Sequence, residues 1–307
     1  MEVKAAPLVS VAMCTYNGEL YIKEQIHSIL TQDYPKIELV IVDDCSSDET
    51  IEVIESYQKE FSNITLIRND RNKGVNISFD IAIRSCKGLL IAIADQDDIW
   101  EPTKLTRMAN SIGNNLLIYH NSEFIDEAGR FIGKSNQSYH NFVKGKSTIE
   151  LLYNNCIPGH AILLHRELLA ILPPTPNFMY YDWWLAYTCA CTGRLDYIHD
   201  TLVRHRKHSL SFTKNDKINS KSLRISNLKS FYEHPISPDG TKKLITKKLI
   251  HNLLEGYEIT FAEKFSFFLL KVMTKNFRQL FFIRKRSLYS KIKFIISECS
   301  STKKDIQ

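Results

Sequence analysis

Residues 93–100, Ile-Ala-Asp95-Gln96-Asp97-Asp98-Ile-Trp, carry three carboxylates within four positions. They directly follow an apolar run, 89–94, that reads as a buried strand. A strand ending in acids delivers them to the carboxyl edge of a sheet, where open α/β folds bind ligands. Packed carboxylates repel one another and need a cation, hydrogen-bond donors or full hydration. A divalent cation, Mn or Mg, held by few carboxylates while phosphate oxygens complete its shell, suits such a cluster. A solvated acidic turn leading into a helix near Glu101-Pro102 explains an isolated Asp-x-Asp equally well, because short motifs match often by chance. The surrounding elements therefore decide.

Those elements alternate. Apolar runs at 8–13, 37–42, 64–67 and 89–94 are separated by helical patterns through Leu20, Ile26 and Ile29, through Ile51, Ile54 and Tyr57, and through Ile77, Ile81 and Ile83. Short buried strands alternating with helices predict an α/β fold, with a mainly parallel sheet covered on both faces. The strand ends then bring Thr15-Tyr16-Asn17, Asp43-Asp44, the loop of Arg71 and Lys73, and Asp95–Asp98 to one edge. No G-x-G-x-x-G follows the first strand, and no G-x-x-x-x-G-K-[ST] loop is present. An acid cluster without glycine phosphate loops favours a sugar nucleotide over a dinucleotide or triphosphate. Further on, strands are expected at 116–120, 195–198 and 201–203, a hairpin over 123–132, and helices over 147–153 and 180–191.

The motifs Val9-Ser-Val-Ala-Met-Cys-Thr-Tyr-Asn17, Ile41-Val-Asp-Asp-Cys-Ser-Ser-Asp-Glu-Thr50 and Asp95-Gln-Asp-Asp98 together resemble the family 2 glycosyltransferases of the GT-A fold. The resemblance covers residues 7–212 and is greatest to bacterial rhamnosyltransferase-like enzymes of surface polysaccharide synthesis. It implies inverting, metal-dependent transfer of one sugar from a nucleoside-diphosphate sugar (dTDP- or UDP-linked) to a glycan or polyprenyl-diphosphate-linked glycan.

The resemblance also assigns roles. Thr15, Tyr16 and Asn17 match the loop that wraps the nucleotide, and Asp44, with Asp43 beside it, the acid that meets the pyrimidine. Asp95 falls near the ribose and donor phosphate, with Lys73 on the donor side, and Asp97 contacts the metal. Asp182, in Tyr180-Tyr-Asp-Trp-Trp184, matches the catalytic base that takes the acceptor proton, although a helix cap also accounts for an Asp there. Trp183 and Trp184 offer flat faces to an acceptor sugar or simply fill core. Gly159, in Pro158-Gly-His160, matches a loop beside the donor sugar, and His160 is a candidate acceptor contact or a structural histidine. His208 matches a late metal-binding histidine, with His205 as its competitor, and Arg206 and Lys207 could neutralise diphosphate. Relatives often carry Arg-Gln-His-Ser-Asn here; Lys207 and Leu210 depart from that pattern.

Composition sets the frame. The 307 residues are 44% hydrophobic and 24% charged, with a net charge of +6, ordinary for a globular protein. Seven cysteines lie scattered without a C-x-x-C pair, which argues for reduced thiols and no zinc site. With no signal peptide visible and no apolar run long enough to span a bilayer, a cytoplasmic protein is expected. Residues 1–214 read as the GT-A domain, with a nucleotide-sugar half at 7–100 and an acceptor half at 101–214. Residues 215–307 read as a helical basic and aromatic extension. Between Lys264 and Lys293 there is no acid; a basic amphipathic helix there would suit an anionic membrane surface at the inner face of the cell membrane. Nucleic acid is not expected, since no binding motif accompanies the charge. The alternatives are a sugar nucleotidyltransferase, which would need a glycine-rich basic loop after the first strand, and a catalytically silent glycan-binding or scaffold protein.

Overall fold

An unbroken apolar run can settle only where both of its faces are covered. In the computed structural model, which describes residues 6–208, 221–236 and 241–301, Leu90–Ala94 before the acids form a strand with every side chain buried, while Leu89 ahead of it is about half exposed. The chain divides into two compact units. One comprises the described residues within Met1–Asn136, Ile157–Leu172 and Arg194–Ser209; the other those within Gln137–Cys156, Pro173–Gly193 and Leu210–Gln307. The units are interleaved in sequence and do not follow the expected consecutive segments. The expected boundary at 214, together with Leu210, lies outside the described residues.

The first unit runs β1 (Val9–Thr15), α1 (Ile22–Leu30), β2 (Ile37–Asp43), α2 (Thr50–Glu60), β3 (Ile64–Arg68), α3 (Val75–Ser85), β4 (Leu90–Ala94), β5 (Ile99–Trp100), α4 (Lys104–Ser111), β6 (Leu117–Ile125) and β7 (Phe131–Ser135). After the short α5 (Asn136–Tyr139) it resumes with β8 (Ile162–His165), and it closes with β9 (Leu195–Arg206). The sheet order is β3-β2-β1-β4-β8-β6-β9-β5, with β7 on β6. Strands β1 to β4 are parallel, and their register sets Thr15 opposite Asp43, Asp43 opposite Arg68 and Met13 opposite Ala94. The loops after these strands therefore open on one edge.

Strand β8 is antiparallel to β4 and β6, and β9 is parallel to β6. The expected closing strands at 195–198 and 201–203 are this one strand, with its register shifting against β6. Because Arg204 pairs with Ile99, the end of β9 returns to the acid segment from more than a hundred residues away. The 123–132 hairpin forms, extended to β7, around Gly129 at φ +78°. The core packs Val11, Met13, Ile26, Leu39, Ile41, Ala92, Leu105, Leu163 and Val203.

The second unit contains α6 (Tyr181–Thr192), α7 (Lys221–Glu233), α8 (Thr241–Glu263), α9 (Phe267–Lys275), α10 (Phe277–Leu280) and α11 (Leu288–Cys299). The stretch 147–153 forms only a 3-10 turn, Glu150–Leu152. Helix α6 is apolar nearly all round and is buried accordingly. Gly256 lets α8 meet α9: a Cβ there would lie 2.8 Å from that of Leu269. Buried Glu298 accepts Arg224 in two bonds, Nε at 2.8 Å and an amino group at 2.5 Å, and the Tyr257 hydroxyl at 2.5 Å, which pins α11. The basic stretch 264–293 is not one amphipathic helix but α9, α10 and the start of α11, with Leu269, Met273 and Leu280 turned inward. No helix among the described residues is long and apolar enough to cross a membrane.

Candidate active site

The first two strand ends form a braced loop pair. Thr15 Oγ1 and Ser46 Oγ donate to Asp43 Oδ1 at 2.9 and 2.5 Å, and the Ser46 amide donates to Oδ2. Asn17 adopts φ 47° and Cys45 φ 70°. The Asn17 amide donates to Ser46 Oγ, and its side-chain oxygen accepts the Ser47 amide. Gln96, unremarked in the sequence, bonds the Tyr16 amide at 2.8 Å and the Tyr16 carbonyl at 3.1 Å. Gly18 makes that possible, since a Cβ would sit 2.3 Å from the Gln96 oxygen. Tyr16 itself stays half exposed.

Asp44 is buried and accepts the Lys73 amide, the Gly74 amide and Asn69 Nδ2, each at 2.8 Å. Gly74 holds φ +86° to present its amide. Here Asp44 organises the 69–74 loop. The Lys73 ammonium lies 2.9 Å from Asp70.

The acid segment forms two adjoining groups. Asp97 Oδ2 lies 2.6 Å from His208 Nε2, and the imidazole packs beside Tyr21 with centroids 5.0 Å apart. Behind them, ligand atoms of Asp95, Asp98, His160 and His205 all fall within 4.8 Å of one another, a set that could hold a divalent cation. His205 Nδ1 donates to Asp98 Oδ1 at 2.9 Å, and the same oxygen accepts the Arg206 amide at 3.0 Å. Asp98 Oδ2 is buried and makes no hydrogen bond among the described residues.

Burial, with Asp98 close by, pushes the Asp95 carboxyl up to about 6. Burial would raise Asp98 as well, but the His205 charge and hydrogen bond hold it below its usual range. Burial pulls His205 down, yet Asp98 holds it above its ordinary value. Burial and the His205 charge keep His160 well below.

Two expected ligand contacts are corrected by this packing. Arg206, 2% exposed, does not reach outward to phosphate: Nε donates to the Asp97 carbonyl at 3.0 Å, one amino group to the Glu127 carbonyl at 3.0 Å and the other to Glu24 at 2.6 Å. Its guanidinium also lies on the Tyr21 ring at 4.6 Å. The network ties the acid segment to α1 and to the β6–β7 turn. His160, expected against the acceptor, is 3% exposed; Nε2 meets Ser122 Oγ at 2.9 Å and Nδ1 lies 3.3 Å from Asp95. Gly159 opens a buried 3-10 turn, Gly159–Ala161, that leads into β8.

A fully buried lysine was missed altogether. Lys104 Nζ donates to the His160 carbonyl at 2.7 Å and stands 3.4 Å from the Trp100 ring centre. Burial drives its pKa well down, opposed by Asp98 and Asp95. In sequence, a lysine opening an amphipathic helix looks like any solvated one.

The glycosyl transferase family 2 model matches residues 10–170, just over half of the chain. The chain belongs to glycosyl transferase family 2. This glycosyltransferase is 37% identical over 101 residues to the putative teichuronic acid biosynthesis glycosyltransferase TuaG of Bacillus subtilis, an alignment spanning 33% of the chain and only 40% of TuaG. It is 35% identical over 143 residues to WfgD of Escherichia coli, a UDP-Glc:alpha-D-GlcNAc-diphosphoundecaprenol beta-1,3-glucosyltransferase, over 45% of the chain and 55% of WfgD. Its fold matches S. aureus TarS in complex with UDP-GlcNAc at TM-score 0.62 and 18% identity, covering 89% of this chain and 81% of that one. It also matches the mannosyltransferase PcManGT from Pyrobaculum calidifontis, in complex with GDP-Man and Mn2+, at TM-score 0.56 and 19% identity, over 95% and 79%.

In the second unit of the glycosyltransferase, Asp182 occupies the first turn of α6 and is half-buried, and its Oδ1 accepts the Trp183 amide at 2.6 Å. A carboxylate at this position also meets the positive end of the helix dipole. Trp183 and Trp184 are core, a correction to their expected role as acceptor platforms. They are 9% and 3% exposed, pack on Phe231, and donate their indole N–H groups to the Leu151 and Pro173 carbonyls. A helix with so few polar faces has to bury its aromatics.

Proposed function

We propose that this glycosyltransferase moves a single sugar, with inversion, from a pyrimidine nucleoside-diphosphate sugar to a lipid-linked glycan acceptor, as a step in bacterial surface polysaccharide synthesis. It would act from the cytoplasm at the inner face of the cell membrane. The donor is a dTDP-sugar such as the rhamnose that the resemblance suggests, or a UDP-hexose. The lipid-linked acceptor is argued from WfgD, whose name specifies a diphosphoundecaprenol substrate, and the nucleotide sugar from TarS and PcManGT.

The observation that carries the reading is the Asp97–His208 contact of 2.6 Å at the sheet edge. A carboxylate oxygen and an imidazole nitrogen suit manganese. Both side chains keep some exposure, 17% for Asp97 and 7% for His208, so this pair would hold a divalent cation while leaving positions to donor oxygens. When bound, the cation supplies positive charge to the departing diphosphate. The chain's own residues do the rest. Asp43 and Asp44 fix the loops beside the nucleotide, where Thr15, Tyr16, Asn17 and Lys73 would meet it. Arg206 holds the Asp97 backbone in place. Asp182 would take the acceptor hydroxyl proton.

A second reading places the cation within the Asp95–Asp98–His160–His205 group, and the unbonded Asp98 Oδ2 favours it. Asp98 and His160 are nearly inaccessible, whereas both members of the Asp97–His208 pair keep exposure, so the rim pair is preferred. A thermal-shift screen of nucleotide sugars with and without manganese tests the function. A donor present at about a hundred times its dissociation constant stabilises the fold by ~2.7 kcal/mol. The proposal fails if no nucleotide sugar raises the melting temperature.

A further inference from the structure

The second unit contains a cleft, ≈ 300 Å³ including its open mouth, whose lining includes Phe281, Phe294, Arg284, Arg286, Ser290 and Lys291. The two phenylalanines meet edge to face, with centroids 5.8 Å apart. Three basic residues thus contribute to the walls of one small space, and the Lys291 ammonium lies 5.8 Å from the Phe277 ring centre. Among the described residues no carboxylate pairs with any of them, whereas Arg68, Arg84, Arg194, Arg206 and Arg224 each meet an acid. Arg284 Nε is buried and makes no hydrogen bond among the described residues. Burial and the neighbouring Arg286 push the Arg284 guanidinium below its ordinary range. Two neighbouring guanidinium groups, Arg284 and Arg286, with no carboxylate pairing among the described residues, favour an anion.

The anion's class follows from the surroundings. Ser287 caps α11, its Oγ accepting the Ser290 amide, and Ser290 and Lys291 belong to the first turn, where the helix dipole favours negative charge. On the same two turns Leu288, Tyr289 and Ile292 are 63%, 76% and 44% exposed. A multiply charged oxyanion attached to an aliphatic chain satisfies both features.

We infer that the Arg284–Arg286–Lys291 cleft is a binding site for lipid-borne phosphate, taking the charged head while the exposed face of α11 enters the lipid. The phosphate would belong either to an anionic phospholipid or to a polyprenyl diphosphate. The second source rests on the lipid-linked-acceptor reading; the anion site itself does not.

The test uses the full chain. Binding of inorganic pyrophosphate is titrated calorimetrically, and flotation is measured with phosphatidylcholine vesicles alone, with added phosphatidylglycerol, and with added polyprenyl diphosphate. Wild type is expected to bind pyrophosphate and to float only with the anionic vesicles, since phosphatidylcholine's phosphate is neutralised by its choline. The Arg284→Gln/Arg286→Gln double variant, checked for folding by circular dichroism, should lose about 30-fold in vesicle affinity, roughly 2 kcal/mol for two cations near an anionic surface. Arg284→Lys/Arg286→Lys should keep most of it. Flotation with phosphatidylglycerol assigns the general lipid; flotation only with polyprenyl diphosphate assigns the acceptor.

Equal flotation, or equal pyrophosphate binding, by wild type and the glutamine variant, or no binding to pyrophosphate or vesicles, overturns the inference. Pyrophosphate binding without flotation overturns its lipid half. Stabilisation of wild type by nucleotide sugars with manganese is measured in parallel: donor binding without flotation sinks this inference alone, and flotation without donor binding sinks the enzymatic reading alone.

Discussion

Arg206 separates a donor ligand from a structural strut, and replacing it tells which it is. Its guanidinium donates to the Asp97, Asp126 and Glu127 carbonyls and to Glu24, and it covers Tyr21. Arg206→Gln can replace at most part of this. Each lost bond from a charged donor is worth about 1.5–3 kcal/mol, and a desolvated cation–π contact adds about 2 kcal/mol. Against that, the variant no longer has to desolvate a guanidinium, and Glu24, with 54% of its side chain exposed, rehydrates cheaply. The net loss should be about 3 kcal/mol, at the low end for breaking a buried charged contact from one side. For a unit of this size that is a fall of roughly 6–12 °C in melting temperature. Arg206→Lys keeps the charge but not the planar fork, and should recover only part of the loss. Thermal melts are paired with UDP titration well below both midpoints. A glutamine variant that melts within about 1 °C of wild type while UDP affinity falls about tenfold would refute the strut and return the guanidinium to the donor phosphates.

Three further outcomes are expected. Asp182→Asn should fold and bind donor normally but turn over about 10²–10⁴-fold more slowly; unchanged turnover removes Asp182 from the chemistry. Trp184→Ala should cost about 3–5 kcal/mol of stability, read by urea melts, and a variant with unchanged stability but weakened acceptor binding would contradict its place in the core. His234 is buried by α6 and α7, bonded to Thr188 and the Ile236 carbonyl, and burial holds it down at about 4. Above the unfolded value of 6.5 this group costs the fold nothing. Between 6.5 and 4 the unfolded chain binds the extra proton, so stability falls as pH falls, by about 3 kcal/mol in all. His234→Gln should flatten that dependence relative to wild type, and identical pH profiles for the two would rule the effect out.

The α/β core was legible because its signals are local. A short apolar run such as 90–94, alternating with helical patterns, reads as a strand buried on both faces, and the acids after it emerge at the sheet edge. The same locality explains the misses. Nothing near Lys104 marks it as buried, because the acceptor of its hydrogen bond is a histidine carbonyl 56 positions later. Arg206 looks like a phosphate ligand until β9 is seen to pair with both β5 and β6, which turns its side chain inward. The tryptophans of α6 are ambiguous alone; burial on Phe231, from a helix far along the chain, decides them. The interleaving of the two units leaves no compositional mark.

The central claim is that Asp97 and His208 hold a cation that also meets the donor diphosphate. Pulsed electron paramagnetic resonance of manganese bound to the wild-type chain with UDP tests it most directly. The expected spectrum has phosphorus coupling from the diphosphate and nitrogen coupling from a single imidazole, with the nitrogen signal vanishing in His208→Gln. Manganese bound without phosphorus coupling, or with nitrogen coupling that survives His208→Gln, would place the ion in the buried histidine–aspartate group instead and contradict the account.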